Sequence, residues 1–294
     1  MQKIIKSNRL FDVINYLLLG SLAVAIVYPL YFVVIASVSN PNLVNSGQVK
    51  FFPKEFTLDG YQLIFERPDI WLSYGNTILY TVCGTALGTT ATMLIAYVLS
   101  RRDFKGGRFL MVFLMITMYF GGGLVPTYLV VSKLHLLNTR WIMMLMGSIS
   151  VFNIIMAKTF LQSSIPQELF EAAVIDGCTD FNFFIKIVLP LSKSILAVLT
   201  LYYGVAHWND YFNGLIYITD AELQPLQLVL RSILIENSIT AQDLGSVEDI
   251  IRRQELVEIL KYGLIIVSTV PVLVVYPFIQ KYFNQGVMIG SVKG

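Results

Sequence analysis

The sequence predicts an all-helical, polytopic membrane protein. This prediction rests on the amino-acid composition and on long stretches without charged residues. Hydrophobic residues make up 55% of the 294 residues and charged residues 14%, and the mean hydropathy is +0.67. A typical soluble domain carries about 25% charged residues, so a water-facing surface would be short of charge. The 21 Lys and Arg nearly balance the 19 Asp and Glu, which gives no general attraction to nucleic acid. Two cysteines, Cys83 and Cys178, are too few for a disulfide framework.

Six stretches are apolar enough and long enough to cross a bilayer. A helix needs about 20 mostly apolar residues to span a hydrocarbon core of about 30 Å. Because lipid offers the backbone no hydrogen-bond partners, helices are the expected form. The third stretch contains Gly121-Gly122-Gly123 and Pro126, which predict a kink or an early end. The six stretches are residues 13–38, 72–100, 109–131, 141–161, 191–218 and 262–283.

Basic residues in the connecting segments predict the orientation of these spans, because Lys and Arg concentrate on the cytoplasmic side. Four of them lie within residues 101–108 and three precede the first span, whereas residues 132–140 hold only Lys133 and Arg140. Both termini are therefore expected in the cytoplasm. Residues 101–108 and 162–190 would face inward, and residues 39–71, 132–140 and 219–261 outward.

The first span has a second interpretation, as a cleaved signal peptide. It follows a basic segment and contains Ala23-Val24-Ala25, which imitates a cleavage site. The apolar run continues to Val38, well past that site, which favours an uncleaved anchor. The expected organisation is a cytoplasmic N-terminus over residues 1–10, a transmembrane domain over residues 11–283 and a cytoplasmic tail over residues 284–294.

The inner segment between the fourth and fifth spans has the features of a short, isolated helix. Ser164 and Gln167 have the spacing of a capping box, and Pro166 suits a first helical turn. Gly177 is a natural C-terminal stop, and Thr179 can cap a second helix that follows. Because a helix of about 11 residues is marginal on its own, we expect other contacts to hold it in place.

The same segment carries a motif with a defined spacing. Glu171-Ala172-Ala173 is followed after three residues by Gly177, and nine further residues lead to Ile187, Leu189 and Pro190. Pro190 is also expected to interrupt the second helix before the fifth span. At all of these positions the pattern resembles the EAA motif of the permeases of binding-protein-dependent ABC importers. That family places the motif in a cytoplasmic loop, which is where it is predicted here.

Three other regions are similar to carbohydrate permeases of this family, those like the maltose transporter. The glycine-rich form of the third span, Gly121 to Gly123, is associated with a subgroup for complex oligosaccharides and polysaccharides. The three regions are residues 120–128 with 136–139, residues 208–212 and residues 280–294.

The resemblance implies an all-α type I ABC importer permease fold with six transmembrane helices and a cytoplasmic coupling helix. In this family the coupling helix docks into a groove of a separate ATPase subunit. Alanines would keep such a helix slim, and Gly177 would permit a sharp exit toward the fifth span. From the helix pattern alone, an amphipathic helix at the membrane surface is the competing interpretation. The implied coupling residues are Glu171, Ala172, Ala173, Asp176 and Gly177.

The implied function is that of a permease subunit in the cell membrane, not an enzyme, which takes up a carbohydrate, expected to be an oligosaccharide, by alternating access. The sequence has no phosphate loop of the form G-x-x-x-x-G-K-[ST]. No cofactor is therefore expected in this chain, and ATP and Mg²⁺ are expected on partner subunits. The alternatives are an ABC permease for a non-sugar solute, a secondary transporter and a membrane-embedded enzyme. The implied partners are a second homologous permease subunit, two ATP-binding cassette ATPase subunits, an extracellular solute-binding protein, membrane lipid and the carbohydrate, with no nucleic acid.

Asp210 is the notable charge inside a predicted span, and such a residue is a functional candidate by default. Its aromatic and polar neighbours suit sugar rings, which combine an apolar face with many hydroxyls. Two other interpretations of Asp210 are a structural or gating hydrogen bond and a position at the outer headgroup level. The candidate transport-pathway residues are Tyr203, Asn209, Asp210 and Tyr211.

The remaining features support weaker expectations. Gly84 and Gly88 form a G-x-x-x-G, expected to pack helices within the chain. His135 and His207 have no metal-ligand partner at a useful spacing, so no metal is expected. The acidic outer segment 219–261 is expected either to help dock the binding protein or to be a solvated loop. The tail either reaches the ATPase or is inert.

Overall fold

The computed structural model of the protein describes residues 9–239 and 260–277, and the regular structure of these residues is helical throughout. A π-helical turn over Phe184–Val188 joins α10 to α11, and a 3-10 turn over Ala221–Leu223 precedes α14. The helices are α1 (Arg9–Ser37), α2 (Pro41–Asn45), α3 (Asp59–Glu66), α4 (Pro68–Ser100), α5 (Gly107–Tyr119), α6 (Leu124–Lys133), α7 (Arg140–Leu145), α8 (Val151–Ser164), α9 (Gln167–Ile175), α10 (Asp180–Phe183), α11 (Leu189–Leu191), α12 (Lys193–Trp208), α13 (Phe212–Tyr217), α14 (Leu226–Ile239) and α15 (Leu260–Pro277).

Among residues 9–239 and 260–277, three helices are long and apolar enough to cross a membrane singly: α1, α4 and α15. Two bent pairs meet the same criterion: α5 with α6, at 113°, and the stretch from α10 through α11 with α12, at 82°. The kink predicted in the third stretch is confirmed, because α5 and α6 are separated by the glycine run and Gly123 has φ +83°. By length and composition, the described residues therefore contain three to five spans, where the sequence predicted six.

The fourth predicted stretch accounts for the difference, because it does not form one helix. Residues 146–150 separate α7 from α8, so the expectation of a continuous helix there is wrong. The break contains Gly147 at φ +77°, a conformation that costs glycine no steric penalty. Ser148 is buried beside it, and its hydroxyl donates to the Met144 carbonyl left free at the end of α7. The fifth stretch is likewise interrupted, by residues 209–211 between α12 and α13.

The approach to the fifth span also differs from the prediction at Pro190. The helical stretch continues through this proline and bends only at Ser192. Proline has no N–H to donate, and its ring crowds the carbonyl four residues earlier. The wider π-helical turn over Phe184–Val188 precedes Pro190 and relieves both conflicts. Thr179 caps α10 as predicted, because its hydroxyl accepts a hydrogen bond from the Asn182 N–H at 3.3 Å.

The described residues fall into two compact units. The first consists of residues 9–67, 232–239 and 260–270. In this unit the end of α1 and α2 enclose a small apolar core, against which Tyr262 of α15 packs. Most of α1 is exposed, as expected for a span whose surroundings are lipid or another chain. The buried residues of the small core are Ile35, Ala36, Val44 and Val49.

The second unit consists of residues 68–231 and 271–277, and α4 is its central helix. α4 packs against α7, α8 and α12. The main apolar core lies among α4, α8, α9, α10, the π-helical turn and α12. Glycines allow the closest approach. A Cβ on Gly84 would lie 2.4 Å from Nε2 of His207 in α12, and a Cβ on Gly88 would lie 2.6 Å from the Ser148 carbonyl oxygen. The prediction that this G-x-x-x-G packs helices within the chain is confirmed.

Candidate functional site

The EAA segment forms α9, a helix of nine residues. Pro166 precedes it in an extended conformation, and no side chain caps its first turn. The predicted capping box is therefore wrong. Because the helix begins at Gln167, this residue is in the first helical position and not in the third, from which a side chain can reach back. Ser164 belongs to the end of α8, and its buried hydroxyl has no hydrogen-bond partner among residues 9–239 and 260–277.

The end of α9 follows the prediction at Gly177. This glycine has φ +75°, and its N–H donates to the Val174 carbonyl at 3.0 Å. The N–H of Cys178 donates to the Ala173 carbonyl at 2.9 Å. These two bonds form a Schellman motif, in which a left-handed residue, usually glycine, closes the helix and satisfies its last carbonyls. Gly177 thus fixes the direction in which the chain leaves α9.

α9 turns one side toward the core and leaves the other open. Ala173 is buried and packs in the main core of the second unit, so this predicted coupling residue anchors the helix. Two apolar side chains that the sequence analysis did not single out are exposed beside the motif, Val174 at 50% and Ile175 at 86%. The exposed members of the predicted set are Glu171, Ala172, Asp176 and Gly177.

Arg101, just after the end of α4, contacts both α9 and α10. Its Cζ lies 3.3 Å from the ring centroid of Phe170 in α9, a close cation–π contact. One terminal nitrogen donates to Asp180 in α10 at 3.0 Å and to the Tyr97 hydroxyl at 3.1 Å. The other two guanidinium nitrogens donate to the Asp103 carboxylate at 2.9 and 2.8 Å. These five residues together form the Arg101 cluster.

Both partners of the close ion pair in the Arg101 cluster are held in their charged forms. The hydrogen bond to Asp103 raises the pKa of Arg101, and the Arg101 guanidinium in turn holds the pKa of the Asp103 carboxyl below its usual value. A lowered carboxyl pKa stabilises the folded state above the pKa of the unfolded chain. This contribution is lost as the pH falls through the lowered value, so the Arg101–Asp103 pair is fully present at neutral pH.

Tyr203, a candidate transport-pathway residue, lies inside the helix packing. Its side chain is 2% exposed, and its hydroxyl lies 2.6 Å from the Thr92 hydroxyl in α4. The same oxygen accepts a hydrogen bond from the Ser150 N–H at 3.2 Å, at the start of α8. Tyr203 therefore joins α12 to α4 and α8, and its part in a transport pathway stays a prediction.

Replacing Tyr203 with phenylalanine should lower the stability of the protein and leave its fold intact. The substitution removes the acceptor of the Ser150 N–H, and a polar group left unsatisfied in a buried position costs about 1–3 kcal/mol. The melting temperature in detergent measures this effect. Replacing the exposed Tyr202 on the same helix with phenylalanine is the matched control. Equal melting temperatures for the two variants would contradict the structural role of the Tyr203 hydroxyl.

The other three candidate pathway residues form the turn between α12 and α13. The Asp210 carboxylate accepts hydrogen bonds from the Asn213 backbone N–H at 3.1 Å and from the Asn213 amide at 2.8 Å. Asn209 donates from its side chain to a carbonyl of α12 at 2.9 Å. The Tyr211 ring is 38% exposed, and the Arg231 Cζ lies 4.8 Å from its centroid. Of the three interpretations of Asp210, these contacts favour the structural hydrogen bond. Substrate contact stays a prediction.

Side chains of α4 hold the segment that follows α13. Asn76 donates to the Glu222 carbonyl at 2.7 Å, and the Tyr80 hydroxyl donates to the Leu223 carbonyl at 2.8 Å. Asn138, in the connection before α7, accepts hydrogen bonds from the N–H groups of residues 219 and 220. The beginning of the predicted outer segment is therefore fixed against α4.

Several predicted segments lie outside the described residues. These are residues 1–8 of the predicted cytoplasmic N-terminus, residues 240–259 of the outer segment, residues 278–283 at the end of the sixth predicted span and the whole tail, residues 284–294. The docking hypotheses for the outer segment and for the tail stay predictions.

A cavity of about 610 Å³ is lined by residues of α4, α12 and α15. Its lining residues include no charged side chain. The hydroxyls of Thr81, Thr85 and Thr89 have no hydrogen-bond partner within the described parts of the chain. Sites for polar ligands usually combine an apolar wall with a few converging polar groups. The wall of this cavity is mostly apolar, and the threonine hydroxyls are its polar groups.

Comparison with known protein families matches residues 84–289 to the model of the binding-protein-dependent transport system inner membrane component. The chain belongs to this family of transporter permeases. Its all-helical architecture is that of a type I ABC importer permease. The protein is therefore an inner-membrane permease component with several membrane-spanning helices, as the EAA motif indicated.

Individual relatives match this permease over nearly its whole length. The permease is 40% identical to protein LplC of Bacillus subtilis (strain 168), over 98% of this chain and 97% of the relative. It is 42% identical to the polygalacturonan/rhamnogalacturonan transport system permease protein YtcP of the same organism, over 98% and 99% of the two chains. Among solved structures it matches a chain of a bacterial ABC transporter involved in the import of the acidic polysaccharide alginate. That match has a TM-score of 0.85 and 29% identity, and it covers 96% of this permease and all of that chain.

Sequence reasoning missed two features of the permease. The first feature is the Arg101 cluster. The sequence indicates only that Arg101 is one of several basic residues that predict the orientation, because its contacts with Phe170 and Asp180 depend on the fold. The second feature is the exposed apolar side chain of Ile175, which lies between the motif positions Ala173 and Gly177. Its position three residues after Ala172 and four after Glu171 places it on the same open face, because one face of a helix repeats every three to four residues.

Proposed function

We propose that this permease imports an oligosaccharide into the cytoplasm by alternating access, driven by ATP that separate subunits hydrolyse. The observation that carries the proposal is the agreement between the relatives and the structural neighbour. YtcP is described as a polygalacturonan/rhamnogalacturonan transport system permease, and the matched structure is a transporter of alginate. A further relative, the arabinooligosaccharide permease AraQ of Halalkalibacterium halodurans, is 28% identical over 91% of each chain. Polymers or oligomers of sugars are the class that these names share.

The proposed contact with the ATPase is the open side of α9. Glu171 and Asp176 supply charge there, Ala172 keeps the helix slim, and Ile175 supplies an exposed apolar side chain. Val174 and Ile175 are adjacent and both exposed, and a partner surface that covers them removes apolar area from water. The buried Ala173 would hold α9 on the permease while its other side is bound.

The proposed assembly contains a second homologous permease, two ATP-binding cassette subunits and an extracellular solute-binding protein. ATP and Mg²⁺ would bind to the ATPase subunits, and this chain would hold no cofactor and catalyse no reaction. Both termini and α9 would lie in the cytoplasm, as the basic residues around 101–108 favour. The turn at Asn209, Asp210 and Tyr211 would then face the outer side. Its exposed Tyr211 ring is the part suited to contact a sugar, while Tyr203 would support the pathway from within the packing.

Reconstitution tests this function. The complete transporter in proteoliposomes should take up a labelled oligosaccharide only when ATP and the binding protein are both present. The permease alone should neither transport nor hydrolyse ATP. Thermal shifts of the binding protein with a panel of oligogalacturonides, alginate oligomers, neutral oligosaccharides, amino acids and peptides would identify the solute. Uptake by the permease alone under an ion gradient would favour a secondary transporter. A binding protein that responds only to amino acids or peptides would overturn the sugar assignment.

A further inference from the structure

The connection between α9 and the rest of the permease has two parts. Along the chain, α9 is joined to α8 through residues 165–166 and to α10 through residues 176–179. α4 is far from α9 in sequence and has no such link. α9 meets α4 through the shared core around Ala173, and the Arg101 cluster adds a second contact, because one side chain after the end of α4 contacts both α9 and α10.

We propose that Arg101 is a positioning residue that makes α4 move together with α9 when the ATPase subunits displace the coupling helix. This inference rests on the proposed function, because it requires α9 to be the element on which the ATPase acts. It adds a second route for the displacement, into the central helix of the second unit, beside the covalent route through α10 to α12.

The geometry of the guanidinium suits this task. Its flat face lies on the Phe170 ring, and its N–H groups donate to Asp180 and Asp103. Face stacking and hydrogen bonding in the plane of the group use different directions, so one guanidinium can hold two helices at once. The Phe170 ring in turn packs edge-on against Phe183 of α10, with centroids 5.2 Å apart. α9, α10 and the end of α4 are thereby joined through one side chain.

α4 can pass a displacement on because its packing is close. Gly84 and Gly88 bring it against His207 and Tyr203 of α12, without room for even a methyl group. The Tyr203 hydroxyl adds hydrogen bonds to Thr92 of α4 and to the start of α8. Closely packed helices shift as units and do not deform continuously. A displacement of the α4 end would therefore reach the helices of the predicted transport pathway.

The experiment uses the complete transporter in proteoliposomes and measures solute taken up per ATP hydrolysed. Arg101→Lys keeps the charge and loses the flat, multiply bonded group. Asp180→Asn removes the negative charge of Asp180 and leaves the other carboxylate of the cluster, Asp103, unchanged. Arg102→Lys is the matched control, because this neighbouring arginine is exposed and outside the cluster. We expect uptake per ATP to fall about five- to tenfold in Arg101→Lys and about two- to fivefold in Asp180→Asn. The ratio in Arg102→Lys should equal that of the wild type.

The double variant Arg101→Lys/Asp180→Asn should lose little beyond Arg101→Lys alone, because both changes weaken the same contact. A wild-type ratio in Arg101→Lys would overturn the proposal. The proposal would also be overturned if uptake, ATP hydrolysis and the melting temperature of Arg101→Lys all fell in proportion, because that result would indicate a merely structural role. Because the Asp180 side chain is 72% exposed, Asp180→Asn should fold, and its wild-type ratio would also contradict the proposal. If the wild-type transporter itself showed no ATP-driven uptake, the proposed function would fail, and this inference with it.

Discussion

Replacing Gly88 with alanine should sharply reduce the yield and the melting temperature of the folded permease. The added Cβ would lie 2.6 Å from the Ser148 carbonyl oxygen and 3.1 Å from two ring atoms of Tyr203. Neither neighbour can move freely, because Ser148 is buried in the break before α8 and the Tyr203 hydroxyl is hydrogen-bonded. Forcing an extra methyl group into a close-packed site costs about 1–3 kcal/mol. Thermal unfolding in detergent, followed by size-exclusion chromatography, measures the loss.

Gly75→Ala is the matched control for this packing argument, since it adds the same methyl group to the same helix. A Cβ at Gly75 would meet no atom within 4 Å. Alanine is preferred over glycine inside a helix by about 0.5–1 kcal/mol, so this variant should melt at the wild-type temperature or above it. Similar melting temperatures for Gly88→Ala and Gly75→Ala would show that α4 does not pack as closely as described.

Features that depend on local sequence could be predicted. The helical class follows from hydropathy, and the kink between α5 and α6 follows from three successive glycines. The end of α9 at Gly177 follows from the conformational freedom of that one residue. By contrast, the break at residues 146–150 depends on packing, because its Gly147 and its buried Ser148 are ordinary residues of a small-residue, apolar run. The predicted capping box is wrong because α9 begins at Gln167, directly after Pro166, and not nearer to Ser164. Periodicity cannot resolve a difference of a few residues in the start of a helix.

The candidate site was predictable only in part, for a similar reason. The EAA spacing predicted a short helix where α9 lies, but the burial of Ala173 depends on where α9 lies on the core. The hydrogen bond between the Asp210 carboxylate and the Asn213 N–H could be predicted locally, because the two residues have the three-residue spacing of a side-chain cap. Two partners of Arg101, Phe170 and Asp180, are about 70–80 positions away in sequence, so only the folded chain brings them together.

Replacing Gly177 with valine should uncouple ATP hydrolysis from uptake in the complete transporter. Gly177 has φ +75°, a conformation in which a β-branched residue is a genuine outlier. A Cβ there would meet no atom within 4 Å, so the cost is conformational and not a clash. The left-handed conformation costs an L-residue about 1–2 kcal/mol, equivalent to about a 5–30-fold shift in an equilibrium. A valine that leaves the left-handed conformation breaks the Schellman motif and changes the direction of the chain between α9 and α10. We therefore expect solute uptake per ATP hydrolysed to fall about 5–30-fold.

Gly177→Asn tests whether Gly177 is needed for its left-handed conformation or because no side chain is tolerated at this position. Asparagine is the residue other than glycine that most often ends a helix in the left-handed conformation, so this variant should keep most of the wild-type uptake per ATP. Both side chains point into open space, and a partner that tolerates no side chain at this position would reject valine and asparagine alike. Equal losses in the two variants would therefore indicate a steric contact with the ATPase at Gly177. Coupling preserved in Gly177→Val would mean that the direction of the chain after α9 does not matter for transmission, because valine cannot hold the left-handed closure without strain.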